Sequence, residues 1–145
     1  MVLSPLTAVS PVDGRYSAKT ESLSEYFSEY ALMKYRIRVE VEYFIALCRL
    51  PLPQLASVDE SRREGLRSLY LDFTTEDAQR VKDIEAVTNH DVKAIEYYIK
   101  EQLEKDDYDW TPYMEFVHFG LTSQDINNTA FPMMLKARLT NVYVP

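Results

Sequence analysis

Three short clusters carry the side chains suited to holding a charged ligand. Val117–Ala130, "VHFGLTSQDINNTA", sets Thr122, Ser123, Gln124 and Asp125 at the expected start of a helix. Thr122 with an acid three residues later fits the acidic form of the capping box, a structural role. A second hydroxyl, Ser123, and the free amides of a first helical turn would equally suit a carboxylate or phosphate. His118 precedes Thr122 by one helical turn of sequence and either backs that site or is a hydrogen-bonded core histidine. The second cluster, "TNHDV" at Thr88–Val92, gathers Asn89, His90 and Asp91 at another helix start. Free N–H groups and the dipole favour an anion there, and a histidine changes charge near neutral pH. The plainer reading makes Asp91 or Asn89 a cap and leaves His90 facing solvent. In the third, "SPVDGRY", a turn delivers Arg15 beside Tyr16. The planar guanidinium fork suits phosphate or carboxylate, whereas a lone arginine on an arm is otherwise plain surface.

Composition narrows the chemistry. A net charge of −7, with no long basic run, argues against a nucleic-acid partner, because a phosphate backbone needs a field of Lys and Arg. The single cysteine, Cys48, excludes an internal disulfide and fits a reducing compartment. The N-terminus lacks the basic start and apolar run of a signal peptide. No run of about 18 apolar residues exists to span a membrane. A cytoplasmic location is therefore expected. The three glycines, Gly14, Gly65 and Gly120, are scattered, which excludes glycine-rich phosphate loops. Two distant histidines and one cysteine do not make the usual zinc site. No metal site is expected from these residues.

The elements that would position the clusters read as helices. Residues 1–19 hold Pro5, Pro11 and an Asp13-Gly14 turn, and are expected to form an extended N-terminal arm. A long helix fits roughly 20–50: Tyr30, Met33, Ile37, Val41, Phe44, Ile45 and Cys48 recur at spacings of three and four. Arg36, Arg38, Glu40 and Glu42 read as largely off that face. Pro51 and Pro53 end it. A second helix fits Asp59 to about Leu71, capped by Asp59 or Ser57. A third starts at Thr74 or Thr75, where Glu76 and Asp77 suit the positive end of the dipole, and runs to about Val87. A fourth has Val92, Ile95, Ile99 and Leu103 as its stripe. A short helix fits Tyr113 to Phe119, and the last begins at Thr122. No segment shows a strand pattern, so the fold class is all-α. After Phe131 an apolar pattern stops without a glycine cap, which suggests a fragment.

These stretches, in this order, resemble the adenylosuccinate lyase family of the fumarase/aspartase superfamily. "LTAVSPVDGRY" resembles its N-terminal arm, in the form carried by the bacterial type. "TNHDVKAIEYYIKE" resembles its second substrate-contacting segment. "FVHFGLTSQDINNTA" resembles the first of the superfamily's three signature regions. The resemblance spans Leu3 to Ala130 and covers roughly the N-terminal third of such an enzyme. It implies a division into an arm (1–19), a helical N-terminal domain (20–121) and the start of a central helical bundle (122–145). It implies cleavage of adenylosuccinate to AMP and fumarate, and of the succinylated aminoimidazole carboxamide ribotide to its carboxamide and fumarate, in purine biosynthesis. The whole enzyme would be a homotetramer with sites built from several subunits, acting on a small purine nucleotide. Substrate contacts would fall on Arg15 and Tyr16, with Arg15 on the phosphate, on Asn89, His90 and Asp91, and on Thr122 and Ser123 as a carboxylate cradle.

The same resemblance implies an incomplete set. The family's general acid is a histidine in a "TH" motif farther along, and its base is a serine beside a "PHKVNP"-like signature. Neither motif occurs here, so no catalytic residue is expected in this chain beyond His90 as a candidate, and the chain alone is expected to be inactive. Two other readings stay open: part of another fumarate-releasing lyase of the superfamily, and a non-catalytic helical interaction module whose polar clusters are only caps.

Overall fold

Helices joined by turns make up the regular structure of residues 4–144, which the computed structural model describes, and no strand occurs among them. The expected all-α class is what the chain adopts. Met1, Val2 and Leu3 of the expected arm, and Pro145 of the last expected segment, lie outside the described residues.

The rest of the arm is coiled in successive turns and is not extended. Ser10 donates its amide and its hydroxyl to Asp13 Oδ1 at 2.9 and 2.8 Å, closing a turn that Pro11 helps to set. Gly14 packs inside that turn. A Cβ there would lie 2.9 Å from the Pro5 carbonyl oxygen and 3.0 Å from that of Ser10, so only glycine fits. A helical turn α1 (Ser17–Thr20), a 3-10 turn (Glu21–Leu23) and a second short turn α2 (Ser24–Phe27) follow.

The long helix α3 spans Glu29–Arg49 and not 20–50. Ser28 explains the later start. Its backbone is extended and its hydroxyl accepts from the Ala31 amide at 3.1 Å, a cap that ends the preceding turn and opens α3. The expected second helix divides into α4 (Glu60–Gly65) and α5 (Ser68–Leu71), with Asp59 capping α4. Helix α6 (Thr75–Thr88) is capped by Thr74 paired with Asp77. Helix α7 spans Asp91–Glu104. Where a helix Tyr113–Phe119 was expected, the chain makes a 3-10 turn, Thr111–Phe116, with Pro112 in its first turn. Helix α8 spans Ser123–Arg138 and widens into a π-turn at Leu139–Tyr143.

Packing follows the periodic stripes. Met33, Ile37, Val41, Phe44, Ile45 and Cys48 of α3 are buried, as are Val92, Ile95, Ile99 and Leu103 of α7. Helix α3 packs most extensively on α8, whose Ile126, Ala130 and Met134 are buried, while α6 pairs with α7. Trp110 closes one end of the core, edge-on to Phe44 at 6.1 Å and to Tyr108 at 4.9 Å. Among the described residues, no helix is long and apolar enough to cross a membrane. One expectation about α3 fails: Arg36 and Glu40 are 6% and 1% exposed, so its polar edge is partly inside.

Two substitutions test the packing. Ile95 is fully buried and Val87 is 82% exposed. Ile95→Ala is expected to cost about 2–5 kcal/mol of unfolding free energy. Val87→Ala should stay within about 0.5 kcal/mol of the parent in the same urea titration. Similar losses for both would contradict this assignment of core and surface.

Candidate functional site

The start of α7 is built by three consecutive residues with different jobs. Asn89 closes α6 in the left-handed conformation, φ 52°, and donates its amide to the Glu85 carbonyl at 2.8 Å. Asparagine tolerates that conformation better than most residues. It allows α7 to begin at once. His90 is then extended, and its Nδ1 accepts from the Lys93 amide at 3.0 Å. The cap of α7 is therefore His90, not Asp91 or Asn89. An accepting Nδ1 carries no proton, so the imidazole caps in its neutral form with the proton on Nε2. The ring remains half-exposed.

Asp91 turns inward. Its Oδ1 accepts from the Val92 amide at 2.9 Å, and its Oδ2 meets Arg36 Nη2 at 2.7 Å. Burial pushes the Asp91 carboxyl up. The Arg36 charge and the Val92 amide outweigh that, and hold its pKa below the ordinary carboxylate value.

At the start of α8, Thr122 donates its amide and hydroxyl to Asp125 Oδ2 at 2.8 and 2.9 Å, and the Asp125 amide donates to the Thr122 carbonyl at 3.1 Å. Those donors hold the Asp125 carboxyl below its ordinary range. The expected capping role of Thr122 is thus in place. Ser123 is the first residue of α8, half-buried, and its hydroxyl has no hydrogen-bond partner among the described residues. Gln124 donates to Asn128 along the outer face at 2.8 Å.

His118 stands just before this helix in the left-handed region, φ 63°. Its Nδ1 lies 2.5 Å from Glu40 Oε1, so it is tied to a buried carboxylate. Burial raises the Glu40 pKa, and the His118 bond offsets part of that rise.

One side chain joins the two helix starts. Arg36 reaches from α3 to Asp91 through Nη2 and to Asn127 Oδ1 through Nε at 3.0 Å. The α7 and α8 clusters are thereby brought together across α3. The arm is not. Arg15 lies over the Tyr16 ring at 4.6 Å and donates to its hydroxyl at 2.5 Å, and both residues are exposed. Among the described residues no hydrogen bond or ion pair links them to His90, Asp91 or Ser123. Sequence reasoning missed Arg36 and Glu40. The available signal was their spacing: Met33, Arg36, Glu40 and Phe44 advance by three and four, so both polar residues share the edge of the apolar stripe.

The bridge has an acid-side signature. A carboxylate with a lowered pKa stabilises the fold above its unfolded value, near 3.8 for Asp91, and that contribution is lost as pH falls through the folded value. Asp91→Asn should lower the melting temperature at pH 7. The gap from the parent should close progressively below about pH 4. A gap independent of pH would show that the ion pair is not what Asp91 contributes.

Comparison with known proteins places this geometry in context. Residues 14–145 match the family described as Lyase. The adenylosuccinate lyase of Dictyostelium discoideum is 50% identical over 147 residues, covering 99% of this chain and 31% of that protein. Those of Legionella pneumophila (strain Corby) and Escherichia coli (strain K12) are 41% and 42% identical, each over 100% of this chain and 32% of their own length. The chain thus spans about a third of the length of the curated relatives it matches. A family match running from the arm glycine, through both helix starts, to the last residue leaves one assignment: this chain belongs to the lyase family.

Proposed function

We propose that this chain supplies one portion of the substrate pocket of an adenylosuccinate lyase. The observation that carries the reading is the Arg36 bridge. It fixes the start of α7, with Asn89, His90 and Asp91, against α8, whose start bears Thr122 and Ser123. Relatives named adenylosuccinate lyase, 40–50% identical along the chain, support the choice of substrate.

The reaction is a β-elimination. A base removes the proton beside one carboxylate of the succinyl group, the C–N bond breaks, and an acid protonates the departing nitrogen, releasing fumarate. Adenylosuccinate then yields AMP, and the succinylated carboxamide ribotide yields the free carboxamide. Ser123 and the first amides of α8 hold a succinyl carboxylate, because an unpartnered hydroxyl at a positive helix end is a ready anion donor. Thr122 holds the helix start in shape and closes the same cradle. Asn89, His90 and Asp91 line the pocket, with the Nε2–H edge of His90 free to donate to substrate. Arg15 grips the phosphate and Tyr16 packs beside the nucleotide.

Among the described residues Arg15 and Tyr16 make no hydrogen bond or ion pair to the other clusters, which fits a pocket completed by residues 1–19 of a second subunit. Residues 20–121 would form the N-terminal domain, and 122–145 would open the central bundle of a cytoplasmic homotetramer. The proton-moving groups lie outside this chain, and His90 orients substrate without acting as the principal acid. Neither metal nor organic cofactor takes part.

The chain by itself should release no fumarate from adenylosuccinate in an absorbance assay, and turnover would overturn the placement of the acid and base elsewhere. Thr122→Ala should destabilise this chain by about 0.5–2 kcal/mol through loss of the cap. Ser123→Ala should leave its melting temperature unchanged and, in the whole enzyme, depress turnover. Equal melting temperatures for the two variants would sink this division of labour.

A further inference from the structure

Away from the helix starts, a cavity of about 330 Å³ opens between α2, α3 and α5, with Asn141 of the terminal turn at its rim. Four tyrosines line it: Tyr26, Tyr30, Tyr35 and Tyr70. Two of the rings are fixed by their hydroxyls, since Tyr30 donates to the Phe73 carbonyl at 2.6 Å and Tyr70 donates to Glu42 Oε1 at 2.8 Å. The Tyr35 hydroxyl has no partner among the described residues.

Lys34 and Arg38 project from one face of α3, one helical turn apart. Neither forms an ion pair among the described residues. Their closest aromatic contacts are cation–π: Lys34 Nζ is 5.9 Å from the centre of the Tyr30 ring, and Arg38 Cζ is 5.7 Å from that of Tyr70. Arg67, Arg80 and Lys82 each sit on a carboxylate. The carboxylate one helical turn beyond Arg38, Glu42, is taken up by Arg67 at 2.6 and 2.9 Å and by the Tyr70 hydroxyl. Lys34 and Arg38 thus lie side by side over aromatic rings without an ion pair among the described residues. Glu25 is the single carboxylate among the lining residues.

We infer that this cavity is a second binding site, for a small aromatic phosphate. The phosphate sits between Lys34 and Arg38, and the ring stacks among the tyrosines. The chemistry follows from what is unsatisfied. Two adjacent cations match a phosphate dianion, with the guanidinium fork able to take two oxygens. Tyrosine faces give a ring an apolar bed with large contact area and few torsions to freeze. The volume falls in the range of small-molecule pockets, too small for a folded partner. None of these residues belongs to the helix starts or to the arm, so the inference stands apart from the proposed lyase pocket.

The test is an NMR titration of this chain with AMP as the aromatic phosphate, alongside adenosine and inorganic phosphate. Saturable shifts of the Tyr26 and Tyr35 ring signals are expected with AMP, with weaker binding of either half alone. Lys34→Gln combined with Arg38→Gln should weaken AMP binding at this site by about tenfold or more, as loss of charged hydrogen bonds does. Because Lys34 is half-buried and Arg38 exposed, the variant should keep the parent's circular dichroism. Ser123→Ala should bind AMP at this site as the parent does. Adenosine binding as tightly as AMP, or a folded double variant that binds undiminished, would overturn the site. So would AMP-induced shifts confined to His90, Ser123 and their neighbours, which would favour the lyase pocket alone.

Discussion

A guanidinium almost wholly removed from water dictates much of this structure. Arg36 is 6% exposed, and an unpaired charge at that depth would cost several kcal/mol. It therefore requires partners, and the partners come from two helices far away in sequence. Asp91 gives a carboxylate at the start of α7, and Asn127 gives an amide oxygen one turn inside α8. Because both bonds leave one planar group, the two helices are held at a fixed spacing. A flexible ammonium would set no such geometry. Replacing Asp91 or Asn127 would leave the buried Arg36 guanidinium short of a partner, which ties the two helix starts into a single unit.

The same helix, α3, carries Glu40 one turn beyond Arg36, and that carboxylate receives His118 from the loop before α8. The inward polar edge of α3 thus organises the two segments that precede and open α8, while its apolar stripe joins the core cluster with Val81 of α6 and Ile95 and Ile99 of α7. Apolar burial supplies the non-directional part of the association. The polar contacts select one register, since a slip of a single turn would strand a buried charge. Outside the core, several charges pair across helix surfaces, as in Arg80 with Glu101 and Lys82 with Glu29. Pairs of that kind add little stability.

The all-α class, the α3 and α7 stripes, the caps at Thr74, Asp59 and Thr122, and the three polar clusters were legible without coordinates. Each is a local property: side-chain period, cap chemistry or a short motif read within a few residues. The start of α3 was misplaced because Ser28 competes with the backbone only when its hydroxyl finds the Ala31 amide. His90 was missed as a cap because an imidazole accepts only in one tautomer and one orientation. The arm was read as extended because prolines suggest it, whereas Ser10, Asp13 and Gly14 coil it tightly.

The sequence by itself determined that the chain is helical, that it carries hydroxyl-rich and acid-rich helix starts, and that these segments resemble one family of lyases. Only the tertiary structure decided which of those starts meet. The tie is a residue read as surface, Arg36, and its partners lie 55 and 91 positions along the chain. Periodicity reports which face of a helix is apolar. It does not report which polar residue at the edge of that face will be sealed in, because that depends on how closely a neighbouring helix approaches. Here α7, α8 and the loop before α8 all pack against α3, where Arg36 and Glu40 are buried, and burial turns two ordinary charges into fixed, directional contacts.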